Sequence, residues 1–265
     1  MIGFAVIVGE FVSKPPQVPF DQSVLGFLTG FFLCSYSMAA NDIYDVEVDR
    51  VNQPARPIPS GRMSVRTANR LSILSLLAGM ACSVLSLSPI AVTIAAGYAF
   101  LAWLYSYRAK KEGLSGNLIV ASSLAIPFVY GGVVSKGSVF ISLLLSMALT
   151  AFFAGAGREV VKTMADVEGD EKRGVNSLAR RKGMRAAAMV GGACFLLAVF
   201  TSWVPLVYGL ANRFYTLGVV IPDAIFVYLA VSIAKNRSAP NAHRVKTIAL
   251  FGMLVGLVVF IGGGL

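Results

Sequence analysis

The sequence predicts an all-α integral membrane protein of nine transmembrane helices, and three observations predict it. Its 265 residues are 56% hydrophobic and only 14% charged, with a mean hydropathy of +0.73. An ordinary soluble domain is closer to half apolar even with Gly counted, so a soluble globular chain is excluded. The apolar residues fall into long stretches rather than amphipathic periods, and nine spans of about 20 residues would use roughly 180 positions, leaving room for loops and a site. The basic residues lie almost wholly on one side of the alternation those stretches impose.

In chain order the apolar stretches run over 1–13, 20–40, 67–88, 90–107, 116–134, 138–157, 186–207, 214–234 and 247–265. The first is short for a span. It begins at Met1 without the basic cap and small-residue cleavage pattern of a signal peptide, so it is expected as a partly inserted helix, with Glu10 near the outer interface. Gly26 with Gly30 in the second stretch, and Gly252 with Gly256 in the ninth, have the small-residue spacing that lets helices approach closely in lipid. Cys34, Cys82 and Cys194 stand singly inside apolar runs and read as packing residues, with no spacing for a metal or a disulfide framework. Asp223 lies within the eighth stretch beside Pro222 and is expected to satisfy backbone groups there. His243, in the basic loop before the ninth, has no neighbour that would make it a base. The whole of 1–265 is expected to form one domain.

Charge tests the count independently. When loops alternate sides, all 23 Lys and Arg residues except Lys14, Lys136 and Arg213 fall on one face. That face is cytoplasmic by the positive-inside rule, and the net charge of +10 is explained by topology and anionic headgroups rather than by nucleic acid.

The acids are more informative. Of the 13 in the chain, Asp42, Asp45, Glu47 and Asp49 cluster after the second stretch, and Glu159, Asp166, Glu168, Asp170 and Glu171 after the sixth. Asp45-Val46-Glu47-Val48-Asp49 parallels Asp166-Val167-Glu168-Gly169-Asp170 and hints at an internal duplication. If the helices continue into these segments, Asp42, Asp45 and Asp49 share a face with Asn41 at its edge, while Arg158, Lys162, Asp166 and Asp170 form a stripe of their own. Carboxylates stacked so closely repel one another unless a cation neutralises them. Magnesium suits such oxygen donors and is commonly held by one or two carboxylates plus substrate phosphates. Two acid-lined faces opposed across a membrane cavity would therefore grip a diphosphate.

The first segment, Asn41-Asp42-Ile43-Tyr44-Asp45 through Asp49 followed by Asn52-Gln53-Pro54-Ala55-Arg56-Pro57-Ile58-Pro59-Ser60-Gly61, resembles the first signature of the UbiA superfamily of intramembrane prenyltransferases. The run from Asp166 to Gly174 is similar to the second. The resemblance covers nearly the whole chain and implies helices packed around a central cavity open to the cytoplasmic side and to lipid. Arg158-Glu159 ahead of Lys162 most resembles the archaeal digeranylgeranylglyceryl phosphate synthases, which implies transfer of a geranylgeranyl group to geranylgeranylglyceryl phosphate. Thr163 departs from the pattern, standing where archaeal members often carry another Asp.

The resemblance implies these roles. Asn41, Asp42, Asp45, Asp49, Asp166 and Asp170 hold magnesium, with Asp45, Asp49, Asp166 and Asp170 as the catalytic set. Arg56, Lys110 and Lys162 contact the diphosphate, and Arg158 the acceptor's phosphate. The cation formed on ionisation needs electron-rich walls, for which Phe32, Tyr36, Trp103, Tyr105 and Tyr107 are candidates, Tyr105 first among them. The partners implied are a prenyl diphosphate, a lipid acceptor and membrane lipids, with neither nucleic acid nor an obligate protein partner. Two other readings stay open: the same chemistry on an aromatic, quinone or tetrapyrrole acceptor, and a membrane transporter. A transporter would spread its acids through the bilayer depth, whereas these gather at one face.

Overall fold

The computed structural model describes residues 2–13, 19–135, 142–172 and 174–264, and among these it is helical without strands. Lys14, Lys136 and Arg173 of the charge pattern, and the side chain of Lys172, lie outside the described residues. The helices are α1 (Ile2–Val12), α2 (Phe20–Tyr44), α3 (Val46–Asn52), α4 (Val65–Leu85), α5 (Pro89–Tyr107), α6 (Leu114–Val134), α7 (Ser142–Ala165), α8 (Val167–Lys172), α9 (Leu178–Ser202), α10 (Val204–Val207), α11 (Arg213–Gly218), α12 (Val220–Lys235) and α13 (Ala239–Gly264), with a 3-10 turn over Ala109–Lys111.

Eight helical segments among the described residues are long and apolar enough to cross a membrane, not nine. The difference is α1. Its 11 residues reach about 16 Å, half of a hydrocarbon core of about 30 Å. Packing keeps it in place: a Cβ at Gly131 would overlap the Val6 carbonyl, and one at Gly9 the Phe128 carbonyl, so α1 and α6 touch backbone to backbone. Gly26 and Gly30 of α2 press on the same helix, against Val6 and Gly3, as their spacing suggests, while Gly252 and Gly256 meet α12 more loosely. Glu10 is packed inside the protein. It is 1% exposed, and its Oε2 accepts from Ser23 at 2.7 Å.

The core divides into two halves and a seam. In the first half Leu33 and Tyr36 of α2, Ala95 and Tyr98 of α5 and Tyr130 of α6 pack together. In the second, Val160 and Met164 of α7, Phe195 of α9, Leu229 of α12 and Ala249 of α13 do the same. Between them Val12, Phe128, Leu144, Tyr215 and Phe260 bring α1, α6, α7, α11 and α13 together. Many positions at these contacts are Ala, which permits close helix approach where burial of apolar surface no longer drives association. Leu74, Leu77, Phe200, Phe251 and Leu254 stay exposed, as expected of side chains facing acyl chains.

Hydropathy clips the helices at their charged ends. Arg66 belongs to α4; Arg180, Arg181, Lys182 and Arg185 to α9; and His243, Arg244 and Lys246 to α13 rather than to loops. Gly183, at φ 85° and ψ 164°, interrupts α9 between its basic first turn and its apolar length.

Candidate active site

The two acidic segments are built alike. α2 stops at Tyr44, Asp45 leaves helical geometry at φ −97° and ψ 2°, and α3 resumes at Val46. In the second half α7 stops at Ala165 and α8 resumes at Val167, leaving Asp166 at the break. Across the first break the Asp49 N–H donates to the Asp45 carbonyl, and across the second the Asp170 N–H donates to the Asp166 carbonyl, both at 2.8 Å. Neither row is thus one uninterrupted helical stripe; each is a helix, a one-residue break at the first Asp, and a short helix carrying the second. The duplication seen in sequence has a counterpart in backbone geometry. In this register Thr163 stands where Asp42 stands in the first half, three residues before the break.

Both rows face one cavity of about 400 Å³, within the range of small-molecule sites. Asn41, Asp45, Asp49, Arg56, Tyr105, Lys110, Lys162, Asp166 and Asp170 line it, together with Lys111, Gly113, Asn117, Glu159, Thr163 and Ser177. Asp49 and Asp170 are buried, at 5% and 6% exposure, while Asp166 is half-open with Lys246 at 4.0 Å.

Each half supplies its own cations. The turn between α3 and α4 carries Pro54, Pro57 and Pro59, which fix φ and withhold donors; Arg56 N–H bonds to the Gln53 carbonyl at 3.0 Å and Met63 N–H to that of Pro57 at 2.9 Å. Gly61, at φ 76°, closes the turn. Folded this way, the turn delivers Arg56 to the acids: Nη1 donates to Asp42 Oδ1 at 2.9 Å and to Asp49 Oδ2 at 2.7 Å. From the 3-10 turn, Lys110 Nζ donates to Asp45 Oδ1 at 2.5 Å. In the second half buried Glu159 accepts from Arg158 Nη1 at 2.5 Å and from Lys162 at 3.2 Å. The loop after α8 is fixed by Val175 N–H to the Asp170 carbonyl at 2.9 Å and by Arg180 Nη1 to the Val175 carbonyl at 2.6 Å.

Two expected site residues lie apart. Asp42 and Arg158 do not line the cavity; each is engaged by an ion pair at its edge, Asp42 to Arg56 and Arg158 to Glu159. Of the aromatic candidates only Tyr105 lines it. Tyr36 is packed in the first-half core. Trp103 and Tyr107 stack at 5.3 Å on an exposed face, joined by Tyr44 at 6.1 Å, which suits anchoring at the headgroup level. Phe32 packs edge-on against Phe31. Lys111, Gly113, Asn117 and Ser177 were not singled out by sequence, which offers no signal for them: they come from two segments far apart in the chain.

The donor chemistry fits magnesium. The available ligands are hard oxygens, and among the described residues no three His, Cys, Asp or Glu side chains close into a cage. Such a site suits an ion that takes one or two carboxylates and completes its shell with substrate phosphates and water.

An all-helical membrane fold with paired acidic breaks over a basic-rimmed cavity defines the class, and the chain belongs to the UbiA prenyltransferase family, whose pattern matches residues 2–258. It is 36% identical to the digeranylgeranylglyceryl phosphate synthase of Archaeoglobus fulgidus over 99% of this chain and 90% of that protein. A solved structure concerning digeranylgeranylglyceryl phosphate synthase in membranes superposes with a TM-score of 0.88 at 30% identity, covering 99% of this chain and 92% of that one. A UbiA homolog from Archaeoglobus fulgidus bound to DMAPP and Mg2+ shares the fold, with a TM-score of 0.68 at 20% identity over 98% of this chain and 95% of that one. The chain is a multi-pass membrane prenyltransferase, and the transporter reading falls.

Proposed function

We propose that the protein transfers a geranylgeranyl group from geranylgeranyl diphosphate to the free hydroxyl of geranylgeranylglyceryl phosphate, with magnesium, at the cytoplasmic face of the cell membrane. One observation carries the chemistry: two acidic pairs in matching backbone frames, Asp45 with Asp49 and Asp166 with Asp170, line a single cavity with Arg56, Lys110 and Lys162. The acceptor is supported by relatives bearing the digeranylgeranylglyceryl phosphate synthase name at 36% and 32% identity. The cytoplasmic placement is supported by the basic residues that share a face with both acidic segments.

In this reading Asn41, Asp45, Asp49, Asp166 and Asp170 hold magnesium, with Asp42 acting through Arg56. When bound, magnesium supplies Lewis-acid neutralisation of the departing diphosphate. Arg56, Lys110 and Lys162 take its outer oxygens, Arg56 with the two-pronged geometry a guanidinium offers phosphate. The allylic C–O bond breaks with its electron pair going to the diphosphate. Tyr105 turns ring density toward the cation. The acceptor oxygen then bonds to the allylic carbon, and its proton passes to the released diphosphate. In this reading the cation has to be kept from water until the acceptor captures it.

The test is a nanodisc assay with radiolabelled geranylgeranyl diphosphate and a panel of acceptors, with and without magnesium. Transfer to geranylgeranylglyceryl phosphate that EDTA abolishes is expected. Transfer to a quinone precursor or a tetrapyrrole, with the glyceryl phosphate inert, would refute the acceptor and leave the transferase chemistry standing.

A further inference from the structure

Most of the cavity's polar groups are engaged with one another, but one wall is not. Asn117 Nδ2 and Ser177 Oγ are both buried without a hydrogen-bond partner among the described residues, at 9% and 0% exposure, and both residues line the cavity. A buried polar group left unpaired is destabilising, so two on one wall ask for a ligand. Ser177 occupies the N-cap position of α9, yet its side chain caps nothing.

These residues form one cluster. Asn117 N–H donates to the Gly113 carbonyl at 3.1 Å, and Asn176 N–H to the Lys111 carbonyl at 2.8 Å. Gly113, at φ +71°, abuts the Asn176–Ser177 segment so closely that a Cβ there would overlap the Asn176 carbonyl. Gly113 is also the N-cap of α6, a helix of 21 residues, and offers no side chain to cap it. The free N–H groups and positive dipole end of α6 therefore lie beside the unpartnered amide and hydroxyl. Lys111 lines the same wall, and unlike Arg56, Lys110 and Lys162 it has no carboxylate partner among the described residues. An uncapped helix start, an amide, a hydroxyl and an unpaired ammonium are what a phosphate oxyanion needs.

We infer that Lys111, Asn117 and Ser177 form the subsite for the phosphomonoester of the acceptor, apart from the carboxylate rows that serve the diphosphate. The inference rests on the acceptor reading above and moves the acceptor contact from Arg158 to the start of α6. The subsite fixes the acceptor by its anionic end and leaves its hydroxyl free to meet the allylic carbon, so it sets specificity for a phosphorylated acceptor over a neutral one.

The test compares wild type with Lys111→Gln, Asn117→Ala and Ser177→Ala in nanodiscs, measuring KM separately for donor and acceptor, with phosphate-free geranylgeranylglycerol as a second acceptor. The lysine is exposed, and the other two changes delete groups without a hydrogen-bond partner among the described residues, so folding should survive all three. The acceptor KM should rise about 10-fold or more in each variant, the donor KM should stay fixed, and the preference for the phosphorylated acceptor should shrink. An unchanged acceptor KM, or a rise confined to the donor, would overturn the subsite while wild-type turnover of the phosphorylated acceptor upholds the functional reading. A wild-type enzyme that prenylates only phosphate-free acceptors defeats the functional reading, and the subsite with it.

Discussion

Arg56 Nη1 donates to Asp49 Oδ2 at 2.7 Å and, from the same nitrogen, to Asp42 Oδ1 at 2.9 Å. A residue in a proline-set turn thus holds together two acids of the preceding helices, one of which lines the cavity and one of which does not. Replacing it with Ala removes charge-assisted bonds of about 1.5–3 kcal/mol each and leaves Asp49 buried beside Asp42. Arg56→Ala should lower kcat/KM for the diphosphate by about 30-fold or more, and Arg56→Lys should recover only part of it, because an ammonium lacks the planar fork. Steady-state kinetics with varied donor decides this; full activity in either variant would remove Arg56 from the site.

The matching bonds from Asp49 to Asp45 and from Asp170 to Asp166, both 2.8 Å, predict matching consequences. Asp49→Asn and Asp170→Asn should each reduce turnover by a similar factor, on the order of 10²-fold or more, and the double variant should fall well short of the product of the two, since groups that act on one leaving group do not add. Magnesium titrations of activity should shift to higher concentration in both. Independent, multiplicative losses would indicate that the two rows do not serve a common diphosphate.

How far the sequence reveals this site depends on what kind of information each residue needs. Asp45, Asp49, Asp166 and Asp170 are legible because a charge in an apolar chain is costly and their spacing repeats. The helix breaks at Asp45 and Asp166 are less legible, since spacing by four reads as unbroken helix and only the backbone shows the interruption. α1 reads as short, but what keeps it in place, the Gly9 and Gly131 contacts with α6, is a backbone approach that hydropathy cannot register. The start of α13 reads as loop because hydropathy falls at His243, Arg244 and Lys246, although helix geometry continues past the apolar edge. Lys111, Asn117 and Ser177 are ordinary residue types in a 3-10 turn, the first turns of α6 and the N-cap of α9; their convergence exists only after the start of α6 has packed against the segment following α8.

Thr163 supplies a negative prediction. It stands in the register of Asp42, but its Oγ1 donates to the Val160 carbonyl at 2.7 Å, one turn back in its own helix. Thr163→Ala should therefore change kcat/KM and magnesium dependence by no more than about threefold, which is the scale of a net neutral hydrogen bond. A loss comparable to that of Asp166→Asn would show that the hydroxyl takes part in the site after all.

Asp223 separates stability from catalysis. It is 7% exposed and accepts from Ser202 Oγ at 2.9 and 3.1 Å and from Trp203 Nε1 at 2.8 Å, tying α12 to the end of α9, while Tyr215 Oη donates to the Ser202 carbonyl at 2.5 Å. Asp223→Ala orphans two donors at about 1–3 kcal/mol each. Thermal unfolding in detergent should shift down by several degrees, with the KM values of the folded enzyme unchanged. A selective rise in either KM would mean that Asp223 reaches a substrate.

Tyr105 tests whether the cavity wall acts on the cation or merely bounds it. It alone of the aromatic candidates faces the cavity, and ring and hydroxyl can be removed separately. If the ring stabilises the allylic cation, the effect belongs to the ionisation step and appears in kcat rather than in donor KM. A cation–π contact is worth about 0.5–2 kcal/mol, so Tyr105→Leu should cut kcat roughly 3- to 30-fold, while Tyr105→Phe, which keeps the ring, should retain most of it. Fluorinated phenylalanines at this position extend the test, since each fluorine withdraws density from the ring face at nearly constant shape: kcat should fall stepwise with fluorine number. A flat series would show that ring density does not act on the cation, and equal losses in the Phe and Leu variants would assign the contribution of Tyr105 to its hydroxyl.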